Sequence, residues 1–545
     1  MLMIMPSGSY YCLQSICGTF FWGPHSHDSI WHLALSVAAF TSYPFQAPHV
    51  AGVALGGYNI LMDIVMYLLS KISIPPLITF FKIFPLVWFL LFTTLGVTVA
   101  RKINSSPLFV GLFMFFLYFG GSFGYFFTLY HGHTVTGSEG LLAMQSRHIL
   151  LNVQFGFSLV VVLAIIHIFQ LGQLTTKRLI ALSLLLITAI GLKFYAGVVC
   201  SVLVALYICL AFLKDKNLLR FLKHTGFLFV CAALAVVFFY NPAQALKSGS
   251  TFIFSPFAVV HNIIEEPALF YLPALANARY ILAASGFGPR LLAIELFSAL
   301  IYIVFNLGTR VIGLTYLGVK IVKKKSSIID LILVTTILFS TSLSLLLIQR
   351  GVWWNSIQFF YYAIFLSNFF AAQAVYELLK RRKFVPLTIG ILILILTVPI
   401  NFDRIRETFD LKTAVYISQY EIDALEYLKK QPPSIVLTAP YKKTINLPQP
   451  APLYAAVDSA YVVAYSGKKT YISDALQLEL LSIDQTKRSQ EAELWNCDLM
   501  KKVDYIYDLK AIEVKKDLNG CKGEIKKIFE NKEVRLFKIM PQRDF

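Results

Sequence analysis

Charged residues are scarce in this chain of 545 residues: Asp, Glu, Lys and Arg make up 14%, whereas 57% of the residues are apolar. Ordinary soluble domains carry about 25% charged residues. The deficit excludes a soluble globular enzyme, a disordered tail protein and a coiled coil. The composition predicts a polytopic membrane protein, so the net charge of +18 has to be explained by the side of a bilayer that it faces.

Acidic residues are especially rare in the first part of the chain. Only nine of the 30 Asp and Glu residues lie within residues 1–400, and the other 21 follow residue 400. We therefore expect a transmembrane domain over 1–400 and a small soluble α/β domain over 401–545. Within the second domain the pattern predicts an amphipathic helix over 413–430, a strand and turn over 460–473, and strands over 434–440, 503–509 and 533–539.

Long apolar segments recur through the first 400 residues. A membrane-crossing helix needs about 20 mostly apolar residues, and we predict ten such spans at 76–100, 107–129, 152–172, 179–194, 195–213, 224–240, 289–309, 327–347, 355–376 and 384–400. Residues 10–24 are apolar but short. We interpret them as the stub of a further, eleventh span; an interfacial segment is the alternative.

Basic residues cluster after the first, third, fifth, seventh and ninth of these spans, as in Lys380-Arg381-Arg382-Lys383. Since cytoplasmic loops of membrane proteins are enriched in Lys and Arg, these clusters indicate the cytoplasmic side. The chain before residue 76 and the C-terminal domain are then extracytoplasmic. We therefore expect a multi-pass protein of the plasma membrane, with its first outer loop at about 25–75.

Several motifs are absent from the sequence. It has no phosphate-binding glycine loop of the GxxxxGK[ST] type, no visible repeat between its halves and no nucleic-acid module. The missing glycine loop disfavours an ATP-driven pump, and the missing module disfavours a nucleic-acid partner. The missing repeat weakens the case for a secondary transporter. The seven cysteines show neither a CxxC pattern nor zinc spacing. Cys497 and Cys521 in the C-terminal domain are either a disulfide or two structural thiols.

The densest group of ionisable residues is the segment GPHSHDSIWHLAL at 23–35. On a helix, His25 and His32 would share a face with Asp28, and His27 precedes it directly. Three interpretations stay open. Asp28 is a catalytic base with His27 and His32 beside it; or Asp28 binds a metal with His27 or His32; or Asp28 begins the helix and the histidines lie at the membrane interface.

Other acids are rare enough to be secondary candidates: Asp63, in a helix that begins near Tyr58, and Glu139, Glu265 and Glu266 in outer loops. Asp63 is either a second functional acid or the partner of a base that the sequence does not identify. We expect the following residues to face the outer leaflet as phosphate or sugar ligands: Arg147, His148, Arg279, Arg350, Trp353 and Trp354. Snorkelling at the interface and an aromatic belt are the alternatives for these six.

Several pieces of the sequence resemble the GT-C superfamily of polytopic glycosyltransferases, especially an uncharacterised bacterial branch. They are HDSIWHLAL (27–35), GYNILMD (57–63), YFGGSFG (118–124), ALEYLKK (424–430) and YSGKKTYIS (465–473). The resemblance implies a polyprenyl-phosphate-linked sugar as donor and an acid in the first outer loop as base toward the acceptor hydroxyl, a role that falls on Asp28. No acidic pair of the DxD kind stands beside Asp28.

The sequence therefore predicts a membrane glycosyltransferase that acts at the outer face on a glycan, lipid or protein acceptor, by an inverting single displacement. Its partners would be the lipid bilayer, the lipid-linked donor and the acceptor. No cofactor is assigned, although a divalent cation is possible, and no metal ligands are assigned. The alternative is a non-catalytic transporter or scaffold for envelope polysaccharide or lipid; an envelope polymerase or ligase lies between the two.

Overall fold

A computed structural model of the protein describes residues 4–13, 15–132, 152–243, 252–266, 270–349, 352–410, 414–442, 447, 449–517 and 525–540. The chain forms two compact units. The first unit comprises Met1–Leu86, Phe239–Ser250 and Glu407–Phe545, and the second comprises Val87–Phe238 and Thr251–Arg406. The first unit thus combines the N-terminal segment with the C-terminal end of the chain.

Long apolar helices dominate the structure. Within the described ranges, eight helices are long and apolar enough to cross a membrane: Pro76–Ile103, Val153–Gln170, Phe194–Asp215, Leu218–Tyr240, Pro289–Val322, Ile328–Leu346, Trp353–Lys380 and Phe384–Asp403. Two shorter helices, Pro107–Phe119 and Thr176–Leu192, lie at the other two predicted spans. Each of the ten predicted spans therefore contains a helix, and the prediction of a helical multi-pass membrane protein is confirmed.

The second predicted span is interrupted, because its helix ends at Phe119 and the next helix begins at Tyr125. Gly120 and Gly121 lie at the break, where the buried Arg310 guanidinium donates to the carbonyl oxygens of Gly120 at 3.1 Å and Gly121 at 3.0 Å. A Cβ atom at Gly120 would come within 2.7 Å of Arg310 Nη1. Glycine is required at position 120 because a larger residue would displace the arginine that pairs with the buried carbonyl groups at the break.

The remaining helices are shorter. They are Asp28–Ala38, Leu61–Lys71, Tyr125–Gly132, Ala258–Glu265, Pro273–Ala284, Pro399–Phe409, Gln419–Lys429, Leu453–Ala456, Tyr461–Ser466, Ala475–Leu480, Thr486–Glu493 and Cys497–Met500. The strand-containing C-terminal part confirms the predicted fold class: Ile525–Glu530, Val534–Ile539, Tyr505–Leu509, Ile435–Thr438 and Lys469–Thr470 form one sheet in that order. Its last three strands are parallel to one another. Two-stranded pairings join Phe252–Phe254 to Leu347–Gln349 and Leu494–Asn496 to Lys515–Asp517.

The N-terminal segment departs from the sequence prediction. Residues 10–24 are not the stub of a span, since Ser9–Leu13 and Ile16–Trp22 form an antiparallel hairpin closed by a disulfide between Cys12 and Cys17. The second of these strands pairs with Ala414–Ser418, which extends the sheet to Ala451–Pro452. The apolar side chains that suggested a membrane segment, among them Phe20 and Trp22, instead pack in the core between these strands.

Two predictions within the C-terminal part were wrong in detail. The helix predicted over 413–430 starts only at Gln419, because Ala414–Ser418 is a strand held by the N-terminal hairpin. The strand predicted at the start of 460–473 is the helix Tyr461–Ser466, which packs on the helix Asp28–Ala38 and ends at Gly467 with a φ of 68°. Over Ala414–Ser418 the preference of Val and Tyr for strands is fulfilled, whereas over Tyr461–Ser466 tertiary packing overrides it.

Candidate active site

Asp28 is the first residue of the helix Asp28–Ala38, which follows a short 3₁₀ turn over Gly23–Ser26. The backbone N–H groups at the start of a helix favour a negative charge at this position. The Asp28 side chain is 48% exposed. Nine of the eleven residues in this helix are buried. Asp28 is therefore the point at which a buried helix presents a carboxylate to solvent.

His27 lies between two carboxylates. Its Nδ1 is 3.0 Å from Asp28 Oδ1, and its Nε2 is 3.0 Å from Asp474 Oδ1. Burial by itself lowers the pKa of His27, but the hydrogen bonds and charges of Asp28 and Asp474 outweigh burial and raise the pKa to about 10. At neutral pH His27 is therefore an imidazolium that donates one hydrogen bond to each carboxylate.

Asp474 is fully buried and holds its position through backbone contacts. It adopts the left-handed conformation, with a φ of 57°, and accepts a hydrogen bond from the Gln477 N–H at the start of the helix Ala475–Leu480. Asp458 accepts the N–H groups of Asp474 at 3.1 Å and Ala475 at 2.8 Å. Burial and the charge of Asp474 raise the pKa of Asp458, although the two backbone hydrogen bonds oppose the rise.

His32 pairs with Asp63 rather than standing in open solvent. His32 Nδ1 lies 2.9 Å from Asp63 Oδ1, and the two side chains are 3% and 0% exposed. His32 is thus the base that pairs with Asp63, and the contact joins the helices Asp28–Ala38 and Leu61–Lys71. Burial raises the pKa of Asp63, while the charge and hydrogen bond of His32 oppose that rise. Of the two acids in the first predicted outer loop, only Asp28 is accessible to a substrate.

The backbone near His49 explains how Asp474 reaches His27. The N–H groups of Thr470 and Ser473 donate to the carbonyl oxygens of Pro48 and His49, and the Ala51 N–H donates to the Thr470 carbonyl oxygen. The first predicted outer loop is therefore fixed to the segment that precedes Asp474. The ring of His49 is buried against Trp31 at a centroid distance of 4.5 Å, and burial lowers its pKa to about 4, so it is neutral.

Arg279 is surrounded by acidic and histidine side chains in the second unit. Its Nη1 donates to Glu265 Oε1 at 2.6 Å and its Nε to Glu295 Oε1 at 3.0 Å. His261 contacts both Arg279 and Glu295. Its Nε2 lies 2.5 Å from Glu295 Oε2, and its Nδ1 lies 2.8 Å from Arg279 Nη2. Two carboxylates thus balance the charge of Arg279 in this structure.

The other predicted ligands are placed as follows. Trp353 and Trp354 form an edge-to-face pair at 5.8 Å, and Trp354 is 42% exposed. Glu266 is exposed. Arg147, His148, Glu139 and Arg350 lie outside the described residues. Within those that are described, no three His, Cys, Asp or Glu side chains converge as ligands for a metal ion.

Sequence reasoning missed Asp474, Asp458 and His49. Ser473-Asp474-Ala475 before an apolar run is a recognisable helix-start signal, but it gives only a capping role. The contact of Asp474 with His27 spans 447 positions along the chain, and no local pattern carries such a distance. Cys497 is disulfide-bonded, and Cys521, with which the sequence suggested a bridge, lies outside the described residues.

The chain was compared with protein families, with curated proteins and with solved structures. No family model and no curated protein matches the chain. A solved structure that resembles it is the oligosaccharyltransferase of Archaeoglobus fulgidus, described in complex with zinc and sulfate, at 13% sequence identity and a TM-score of 0.45. The match covers 93% of this chain and 66% of that chain, so this chain corresponds to slightly under two thirds of that protein's length. We draw no functional argument from a likeness of this size.

Proposed function

We propose that the protein is a membrane glycosyltransferase that moves a sugar from a polyprenyl-phosphate donor to a glycan, lipid or protein acceptor at the outer face, with Asp28 as the general base. The observation that carries this proposal is the half-exposed carboxylate of Asp28 at a helix start, held by the imidazolium of His27. A general base has to be ionised and reachable by the proton that it removes. The helix dipole and the charge of His27 favour the ionised form of Asp28. The exposure of the Asp28 side chain leaves it within reach of a substrate.

In the proposed reaction, the Asp28 carboxylate removes the proton from the acceptor hydroxyl as the hydroxyl oxygen attacks the anomeric carbon of the donor. The bond between that carbon and the phosphate oxygen breaks, and the phosphate leaves with the electron pair. His27 orients Asp28 rather than exchanging a proton with substrate, since its two N–H groups already donate to Asp28 and Asp474. A single base without a carboxylate nucleophile fits an inverting displacement.

The outer-face location rests on two arguments. The basic clusters after alternate spans indicate the cytoplasmic side, and five such clusters leave the N-terminal segment on the opposite side. Independently, Cys12 and Cys17 form a disulfide in the same compact unit as Asp28. Disulfides persist in oxidising compartments and are rare in the cytoplasm. Both arguments favour an extracytoplasmic Asp28 and C-terminal part, in a protein of the plasma membrane.

The leaving phosphate needs cations, and we propose Arg147, His148 and Arg350 for this role, with Trp353 and Trp354 as a wall against the apolar face of the sugar. Arg279 would have to exchange Glu265 or Glu295 for the phosphate before it could contribute. Asp63, Glu139, Glu265 and Glu266 are secondary acid candidates. Among them, buried Asp63 is the least suited to meet a substrate.

Reconstituted protein tests the proposal directly. Purified wild-type protein in liposomes is given radiolabelled polyprenyl-phosphate sugars and a membrane extract as acceptor, and transferred label is counted. We expect transfer by the wild type, its loss in Asp28→Asn and its retention in Asp423→Asn, which changes an exposed acid of the helix Gln419–Lys429. Full activity of Asp28→Asn would refute the role of Asp28. Movement of a lipid-linked glycan across the liposome without any transfer would favour the transporter.

A further inference from the structure

A cavity of about 210 Å³ lies within the C-terminal part of the first unit, and Asp28 is not among its lining residues. It is lined at the carboxyl ends of the three parallel strands Tyr505–Leu509, Ile435–Thr438 and Lys469–Thr470, by residues at or just after their last positions such as Leu509, Ala439 and Ser473. In open α/β sheets, ligands bind at the carboxyl ends of parallel strands. The topology therefore gives this cavity the position of a ligand site.

The charged side chains that line the cavity are all acidic. Asp458, Asp474 and Glu493 line it, and no Lys, Arg or His is present among its described lining residues. His27 contacts Asp474 through the Oδ1 atom. Tyr441, Tyr454, Tyr461 and Tyr507 also contribute to the wall. An anionic ligand is disfavoured by these carboxylates, whereas a ligand with a positive charge and an apolar face matches both the acids and the aromatic rings.

Three buried polar atoms of lining residues have no hydrogen-bond partner within the described part of the chain. They are Asp474 Oδ2, Ser459 Oγ and Gln485 Oε1. Asp474 is 0% exposed and Ser459 is 7% exposed. Buried polar atoms in proteins are almost always hydrogen-bonded, so such a group calls for a ligand or for ordered water. All three atoms can accept hydrogen bonds, and a ligand that satisfies them has to be rich in donors.

We propose that this cavity binds a single amino-sugar residue whose protonated amine contacts Asp474 and whose hydroxyl groups contact Ser459 and Gln485. A cavity of about 210 Å³ is of a size for one sugar ring rather than an oligomer. The inference rests on the proposed function and deepens it: Asp474 also bonds His27, so the amino sugar would belong to a substrate of the site at Asp28.

Binding of monosaccharides to the purified full-length protein tests this site without any need for transfer. Glucosamine, glucose, N-acetylglucosamine and lysine amide are compared by isothermal titration and saturation-transfer NMR. We expect glucosamine to bind at least tenfold more tightly than the other three, because only glucosamine combines the ammonium group with the sugar ring. Equal binding of glucose, equal binding of lysine amide, or no binding at all would overturn the proposal; the last result would mean that the cavity holds water.

Variants separate this site from the chemistry at Asp28. Asp474→Asn and Ser459→Ala should each weaken glucosamine binding, the first by tenfold or more, whereas Asp498→Asn alters an exposed acid outside the cavity and should have no effect. Asp28→Asn should retain glucosamine binding while transfer is lost. Ser459→Ala serves as the second variant if Asp474→Asn fails to fold. Unchanged glucosamine binding in both Asp474→Asn and Ser459→Ala would refute the amino-sugar site. If the wild type transfers sugar but does not bind glucosamine, the amino-sugar site is refuted and the proposed glycosyltransferase function is not.

Discussion

Glu421 is a fully buried carboxyl on the helix Gln419–Lys429, and we expect it to make the free energy of unfolding depend on pH. Its Oε1 accepts hydrogen bonds from Tyr461 at 2.9 Å and Tyr507 at 3.2 Å. Burial raises the pKa of Glu421 and the charge of Glu533 adds to the rise, while the two tyrosines oppose it, so that the pKa is about 7 rather than 4.5.

A carboxyl whose pKa is higher in the folded state binds its proton more tightly there than in the unfolded chain. The stabilisation is therefore fully present below pH 4.5 and is lost as the pH rises through about 7. With about 1.4 kcal/mol for each pKa unit, the shift corresponds to about 3 kcal/mol. Glu421→Gln cannot ionise, and its amide oxygen can still accept the tyrosine hydrogen bonds.

Thermal unfolding midpoints of the wild type and Glu421→Gln, measured between pH 4.5 and pH 8.5, test this reasoning. We expect the variant to gain stability relative to the wild type as the pH rises, by about 3 kcal/mol over the range. Glu426→Gln, at an exposed position of the same helix, is the matched control and should follow the wild type. Parallel pH profiles for the wild type and Glu421→Gln would refute the argument.

Three further predictions concern contacts that lie within one or the other compact unit. His27→Gln leaves buried Asp474 without its compensating charge, so we expect a loss of about 3–5 kcal/mol of unfolding free energy, seen as a lower unfolding midpoint; an unchanged midpoint would contradict the imidazolium assignment. Arg310→Lys cannot replace the hydrogen bonds to both Gly120 and Gly121, and should reduce the monodisperse fraction in size-exclusion chromatography of detergent extracts, unlike Arg381→Lys at an exposed position. Cys12 and Cys17 should be found linked by mass spectrometry of protein alkylated during cell lysis, and their replacement by Ser should cost about 2 kcal/mol; free thiols in cells would contradict the outer-face location.

The membrane helices could be predicted from the sequence because their signal is local. A run of about 20 apolar residues has few alternatives to a membrane helix, and each of the ten predicted positions contains a helix. The run at 10–24 shows where this reasoning fails. Its aromatic residues are as apolar as those of a span, but the segment is a hairpin whose core includes Ala414, and a pairing over such a distance has no local signature.

The candidate site was predictable in part. Asp28 and its histidines stand out because ionisable residues are rare nearby, and the structure gives each histidine a particular partner: His25 lies 2.9 Å from Ser7 Oγ, His27 lies between two carboxylates, and His32 lies against Asp63. Helical spacing suggested that His25 and His32 would accompany Asp28. The chain begins its helix only at Asp28, so His25 belongs to the preceding turn and the spacing rule does not extend to it.

The base role of Asp28 is tested most directly by measuring catalysis and donor binding separately in Asp28→Asn. The amide keeps the shape of the side chain but cannot remove a proton, and a positioned base contributes typically 10²–10⁴-fold to a rate. We predict that kcat for sugar transfer falls at least 10²-fold while the Kd for the polyprenyl-phosphate donor stays within threefold of the wild-type value. A variant that keeps its kcat, or that loses donor binding in proportion to its activity, would contradict the account.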